Sequence, residues 1–219
     1  MDFIKIIIKP KSVFEQIKEQ SSWGQTFIIL SFFSIIIAFF FNPITKQLTN
    51  SMIESTSLSN RELIESTQEK LKYWGLIFEP FNLAVKILTF CVLTYLGVLI
   101  FKGKSNFKQL FSLCTNAFFI LLISNAVNLV FLYLNGIEKI NNVFDLSAIG
   151  LNLLFEKKPN YLYLFLSNIN IFQIWFVCIM ILGISNLAEI NTKKSMLIVI
   201  LTWLIIAYGN TTIMLMSYK

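Results

Sequence analysis

Glu79 and Lys86 stand seven residues apart in an otherwise apolar run from about Ile77 to Phe101. In a helix that spacing is about two turns, so both side chains share one face, with Asn82 on nearly the same side. Charges inside a membrane-crossing segment cost a few kcal/mol each when unpaired, and by default they mark a functional site. Two uses are open. The structural one puts Glu79 at the outer interface and lets Lys86 snorkel or pair within a bundle. The transport one places both on a wet path, with Pro80 freeing a backbone carbonyl nearby. The structural use is the first expectation, and it implies energetic coupling between Glu79 and Lys86.

A second polar set comprises Asn116, Ser124, Asn125 and Asn128 in an uncharged apolar run. Ser124 and Asn128 are four apart, and Asn125 and Asn128 three apart, so they form a streak on one helix. Bonding between helices is the ordinary use of such residues, at about 0.6 to 2 kcal/mol per contact. A polar solute path would draw on the same side chains. Tyr208, Gly209, Asn210, Thr211 and Thr212 pose the same choice further on.

Catalysis is not expected. The chain has no histidine, which removes the commonest general base and the commonest transition-metal ligand. It has no Gly-x-Ser-x-Gly, no phosphate-binding Gly-rich loop and no zinc motif. Cys91, Cys114 and Cys178 lie far apart in apolar runs and read as small packed hydrophobes. No cofactor, no metal and no nucleic-acid partner is expected.

The elements that position these residues follow from composition. Of 219 residues, 56% are hydrophobic and 14% charged, and the mean hydropathy is +0.69. A soluble domain carries roughly 25% charge. The expected fold is therefore all-α: a single polytopic membrane domain over 1–219. A span needs about 20 apolar residues. Five segments qualify, at about 23–41, 77–101, 111–134, 169–187 and 196–216. Before them, Phe3 to Ile8 reads as a short strand-like piece. Residues 10–20 read as an amphipathic helix in the interface, with Val13, Phe14 and Ile17 on one side. Its rival reading is a docking helix for a soluble partner.

Two long connections carry structure of their own. Ser59-Asn60-Arg61-Glu62 is a capping-box pattern, from which a helix should rise directly into the second span. Val143 to Phe155 is apolar but too short to cross. It fits an interfacial or re-entrant segment with Asp145 and Asn152 on its polar side.

Five spans put the N-terminus and the second and fourth connections on one side, with Lys5, Lys9, Lys11, Lys18, Lys102, Lys104, Lys108, Lys193 and Lys194. The other side has Lys46, Arg61, Lys70, Lys72, Lys139, Lys157, Lys158 and Lys219, matched almost one for one by acids. Basic density near span ends makes the first side cytoplasmic and puts the C-terminus outside.

Three stretches carry a family resemblance. Lys9-Pro10-Lys11-Ser12-Val13-Phe14-Glu15-Gln16-Ile17 looks like the bacterial entry motif of the Yip family, five-span proteins named for interacting with Ypt/Rab GTPases. Gly103 to Phe111 is similar to the family's basic turn between the second and third spans. Asn170-Ile171-Phe172-Gln173-Ile174-Trp175, Gly183-Ile184 and the Lys193-Lys194 turn resemble its fourth span and exit. Asn116-Ala117-Phe118-Phe119 departs by lacking the proline many members have there. The acidic, aromatic-rich cytosolic segment of eukaryotic relatives has no counterpart, so Rab binding is not carried over. The resemblance implies a five-span fold with a cytoplasmic N-terminus, in a compact bacterial-type member.

The resulting expectation is a non-enzymatic multi-pass protein of a bacterial cytoplasmic membrane that organises lipid or protein partners. Its candidate lipid-facing cluster is Lys9, Lys11, Lys102, Lys104, Lys108, Lys193 and Lys194, with Lys5 on the same face. Other membrane proteins or a second copy are further candidate partners. The alternative is a small-solute or ion transporter or channel using Glu79, Asn82, Lys86, Asn116, Asn125 and Asn128.

Overall fold

A computed structural model describes the backbone of residues 2–54, 58–157 and 160–218, and the side chains of residues 5–51, 73–157 and 160–216. Among the described residues the chain is helical with no strand. α1 (Asp2–Ile8) and α2 (Pro10–Glu19) precede the long helices α3 (Gly24–Glu54), α4 (Leu58–Ile100) and α5 (Phe107–Asn135). Three 3-10 turns (Ile137–Lys139, Val143–Asp145, Leu151–Leu154) lead to α6 (Tyr161–Ser167), α7 (Ile171–Ala188) and α8 (Thr192–Tyr218).

Five helices are long and apolar enough to cross a membrane: Gly24–Ser51, Tyr73–Ile100, Phe107–Asn135, Ile171–Ala188 and Thr192–Met216. Only 17% to 39% of the most apolar stretch of each is buried within the chain, so most of their surface is left for lipid. The first span runs past Phe41 because Pro43 does not end its helix. Tyr133 donates to the Phe40 carbonyl at 2.7 Å in the turn that Pro43 disturbs. α4 continues through Pro80 in the same way and rises directly out of the preceding connection, as its sequence suggested. The side chains of the capping box at Ser59–Glu62 lie outside the described residues.

Phe3 to Ile8 is not strand-like. It belongs to α1, which packs on α2 and α5; Ile6 is fully buried there, and a paired strand has no edge to join in a helical bundle. α2 forms where expected, with Pro10 in its first turn, but its apolar face does not lie on lipid. Val13, Phe14 and Ile17 insert into the bundle between α5 and α7.

α5 is the central helix, packed against α3, α4 and α7 and buried on several sides between Leu110 and Ser124. Helices that are apolar all round take such positions. The core closes on three rings: Phe90 of α4, Phe118 of α5 and Phe176 of α7, with centroids 5.1 to 6.2 Å apart in edge-to-face pairs. This geometry is the favourable one for aromatic quadrupoles.

The segment Val143 to Phe155 roofs one end of the bundle. Val143 and Phe144 are buried against Tyr163 and Leu164. Asp145 and Asn152 therefore do not make a solvated polar face. The Asp145 carboxylate accepts from the amides of Asn141 (3.0 Å) and Asn142 (3.1 Å) and pairs with Lys157. Asn152 is fully buried and accepts from Ser147 Oγ at 3.2 Å.

Candidate functional site

Beneath that roof lies a cavity of about 370 Å³. α4 contributes Glu79, Leu83 and Lys86 to it, and α3 contributes Ser34. From α5 come Ser124, Asn125 and Asn128 beside Phe118 and Leu122. Asn168, Asn170, Gln173 and Asn210 face it from the other side. A helix in hydrocarbon satisfies its own backbone, so polar side chains are free to converge where spans leave a gap.

Glu79 is half-buried and held in place. Its Oε1 accepts from Ser34 Oγ at 2.6 Å, and Oε2 receives a longer contact of 3.4 Å from Asn82 Nδ2. Lys86 lines the same cavity, but the expected ion pair is absent. No carboxylate among the described residues lies within 4.0 Å of Lys86, and Glu79 takes its partners from α3 and its own helix instead. The two residues share a cavity, not a contact.

The asparagine streak divides by depth. Asn116 belongs to another place: it is 1% exposed, accepts from Thr26 Oγ1 at 3.2 Å and donates to the Ser112 carbonyl at 2.8 Å. Its use is helix packing. Asn128 ties the roof down, donating to the Leu146 carbonyl (3.0 Å) and accepting from the Ala148 amide (2.8 Å). Ser124 donates to Asn170 Oδ1 at 3.4 Å, and that oxygen also caps α7 by accepting from the Gln173 amide at 2.9 Å. Asn125 and Asn210 line the cavity with no side-chain bond among the described residues. On α8, Thr211 is buried and accepts from Asn168 at 3.2 Å.

Sequence reasoning did not place Ser34, Asn168, Asn170 or Gln173 at the site. For Asn170 a signal existed: an asparagine three residues before Gln173, at the start of an apolar run, is an N-cap that must sit at the mouth of a helix. Ser34 had none, being one serine in a run of Phe and Ile.

The basic segments meet at the opposite end. The Lys104 amide donates to the Ala188 carbonyl at 2.9 Å, and Lys104 Nζ pairs with Glu189 at 2.8 Å. Lys18 reaches Glu189 at 4.0 Å, and Gln109 donates to the Lys18 carbonyl at 3.5 Å. Gly103 permits this closeness, because a Cβ there would stand 2.7 Å from Val98 Cγ1 and 2.9 Å from Ala188 Cβ. Lys194 sits 5.6 Å from the Phe101 ring centre. The hydrogen bond and charge of Lys104, then the charge of Lys18, hold the Glu189 carboxyl below its ordinary range; the same bond raises Lys104. Lys9, Lys11, Lys102, Lys108 and Lys193 make no ion pair among the described residues.

Among the described residues no group of three or more His, Cys, Asp or Glu could hold a metal, and the three cysteines are free. The family model described as the Yip1 domain matches residues 4–213. No curated protein and no solved structure matches the chain.

Proposed function

The chain belongs to the Yip1-domain family, and from that premise we propose that it is a non-enzymatic multi-pass membrane protein that organises anionic lipid at its basic end. One observation carries the reading: lysines from three separate segments, the N-terminal helices and the α4–α5 and α7–α8 turns, converge on one end, joined through Lys104, Glu189 and Lys18. Each juxtamembrane lysine adds about 1 kcal/mol of attraction to an anionic leaflet. That end is the cytoplasmic one in this reading, since cytoplasmic connections carry the excess of lysine, and the membrane is that of a bacterial cell.

The test is lipid retention. Protein reconstituted with equal phosphatidylglycerol and phosphatidylcholine would be released and weighed by native mass spectrometry. Enrichment of the anionic lipid is expected, together with its loss when Lys102, Lys108, Lys193 and Lys194 are changed to Gln. Equal retention of both lipids by the unmodified protein would overturn the proposal.

A second reading, handling of a small polar solute, is favoured by the polar cavity around Glu79 and Lys86. Single spans seldom carry opposite charges into one cavity without a use for them.

A further inference from the structure

Glu79 and Lys86 line one cavity yet make no ion pair with each other. They are seven positions apart, which sets their α-carbons about 10.5 Å apart along α4. We infer that the cavity binds a short zwitterion, a molecule with a primary ammonium at one end and a phosphate or carboxylate at the other. Glu79 receives the ammonium and Lys86 the anionic group.

The charges decide the class. Glu79 is half-buried, and Lys86, exposed on the chain itself, lies midway along an apolar span, where an unmatched charge in hydrocarbon is costly. A plain cation would satisfy Glu79 and leave Lys86 unmatched; a plain anion would do the reverse. A molecule with both charges matches both. Capacity is available on each side. A carboxylate has about four lone-pair sites, and Glu79 has engaged one firmly, through Ser34, and one at 3.4 Å, through Asn82. The Lys86 ammonium has three donors and no carboxylate partner among the described residues. The amides of Asn125 and Asn210 face the cavity with donors and acceptors in hand, while Leu83 and Phe118 supply an apolar wall.

Size narrows the class further. At about 370 Å³ the cavity is at the small end of the roughly 300 to 1,000 Å³ range of ligand sites. It suits a headgroup-sized molecule rather than a peptide. Two sources offer this chemistry: the ethanolamine phosphate headgroup of a bilayer lipid, and a free amino-acid-like solute. The inference deepens the solute-handling reading and rests on it only in taking the cavity as a ligand site; it does not require flux.

The test uses the full chain in phosphatidylcholine nanodiscs. Free phosphoethanolamine is titrated in one arm, and phosphatidylethanolamine replaces part of the lipid in the other. Thermal midpoint and calorimetric binding are read in both. A saturable rise in midpoint is expected with one of the two probes, and which one responds identifies the source. Ethanolamine alone and inorganic phosphate alone should each bind at least tenfold more weakly. Glu79→Gln and Lys86→Met should each weaken the response at least tenfold, and Asn116→Ala, which lies outside the cavity, should keep its affinity. If either charge variant fails to fold, Asn125→Leu and Asn210→Leu serve instead, with the same expected weakening. The inference fails if neither probe binds, or if binding survives the cavity substitutions unchanged. Counterflow of labelled phosphoethanolamine in vesicles tests transport separately: binding without flux ends the solute-transport reading and leaves the zwitterion site standing.

Discussion

Phe14 of α2 packs directly over Gly183 of α7: a Cβ at Gly183 would stand 3.1 Å from Phe14 Cε1, and 2.6 Å from Leu113 Cδ1. A helix that reads as a lipid-lying amphipath is thereby held by the bundle. Gly183→Val should push Phe14 out of its seat at a cost of about 1 to 3 kcal/mol, the usual range for overpacking. Thermal unfolding in detergent measures the loss. Faster tryptic cleavage at Lys11 and Lys18 would report that α2 itself has lifted, and unchanged cleavage alongside a lowered midpoint would mean the strain is taken up by Leu113 alone.

The Thr26–Asn116 bond joins α3 to α5 in a buried setting. A double-mutant cycle with Thr26→Val and Asn116→Leu should give a coupling near 0.6 kcal/mol, the average for such bonds between spans, and no more than about 1.7. Zero coupling would show that Asn116 is held by its own helix through Ser112.

For Glu79 and Lys86 the absence of an ion pair changes the expected outcome from coupling to independence. In ligand-free protein, the effects of Glu79→Gln and Lys86→Met on the thermal midpoint should add to within about 0.5 kcal/mol. Recovery of stability in the double mutant would instead reveal a contact that forms in solution.

Glu189 gives a pH dependence of known sign. Its carboxyl is held below the ordinary range, so its pairing with Lys104 contributes at neutral pH and is lost as pH falls through the lowered value. Lys104 is raised, so on the alkaline side the contribution persists until pH passes the raised lysine value. Both side chains are well exposed, and the effect should be small and further reduced by salt. Glu189→Gln should flatten the acidic limb of a midpoint-versus-pH curve in low salt. Glu189 also adopts a left-handed backbone (φ 53°), so Glu189→Gly should relieve conformational cost while removing the charge pair.

Orientation is open to cysteine labelling after the three native cysteines are replaced. An impermeant reagent added to intact cells should miss Asn191→Cys, at the basic end, and modify Asn141→Cys, at the roofed end; both positions are exposed. Reaction at position 191 with none at 141 would reverse the orientation.

The number and approximate placing of the spans were legible because hydrocarbon imposes a length and a composition that few other settings demand. Span ends were less so. The first span reads to about 41, yet its helix continues through Asn42 and Pro43, with Tyr133 bonding the disturbed turn. α1 was misread because a short run of Ile has β character until it is given a helix to pack on. At the site, Glu79, Lys86, Asn125 and Asn128 announced themselves as polar residues in apolar runs. Asn116 announced itself equally and lies elsewhere, since periodicity along one helix says nothing about what the neighbouring helix offers. Thr26 decided its role, from 90 residues away.

The ring triangle of Phe90, Phe118 and Phe176 also bears on synthesis. Its members come from the second, third and fourth spans, so a nascent chain holds an unfinished core until α7 leaves the ribosome. Asn170, which caps α7 and accepts from Ser124, arrives with it, and the cavity wall is finished only when Asn210 of α8 follows. A chain halted before Asn170 would therefore present the faces of α4 and α5 to the surrounding bilayer, where quality-control proteases that survey half-built membrane proteins would find them.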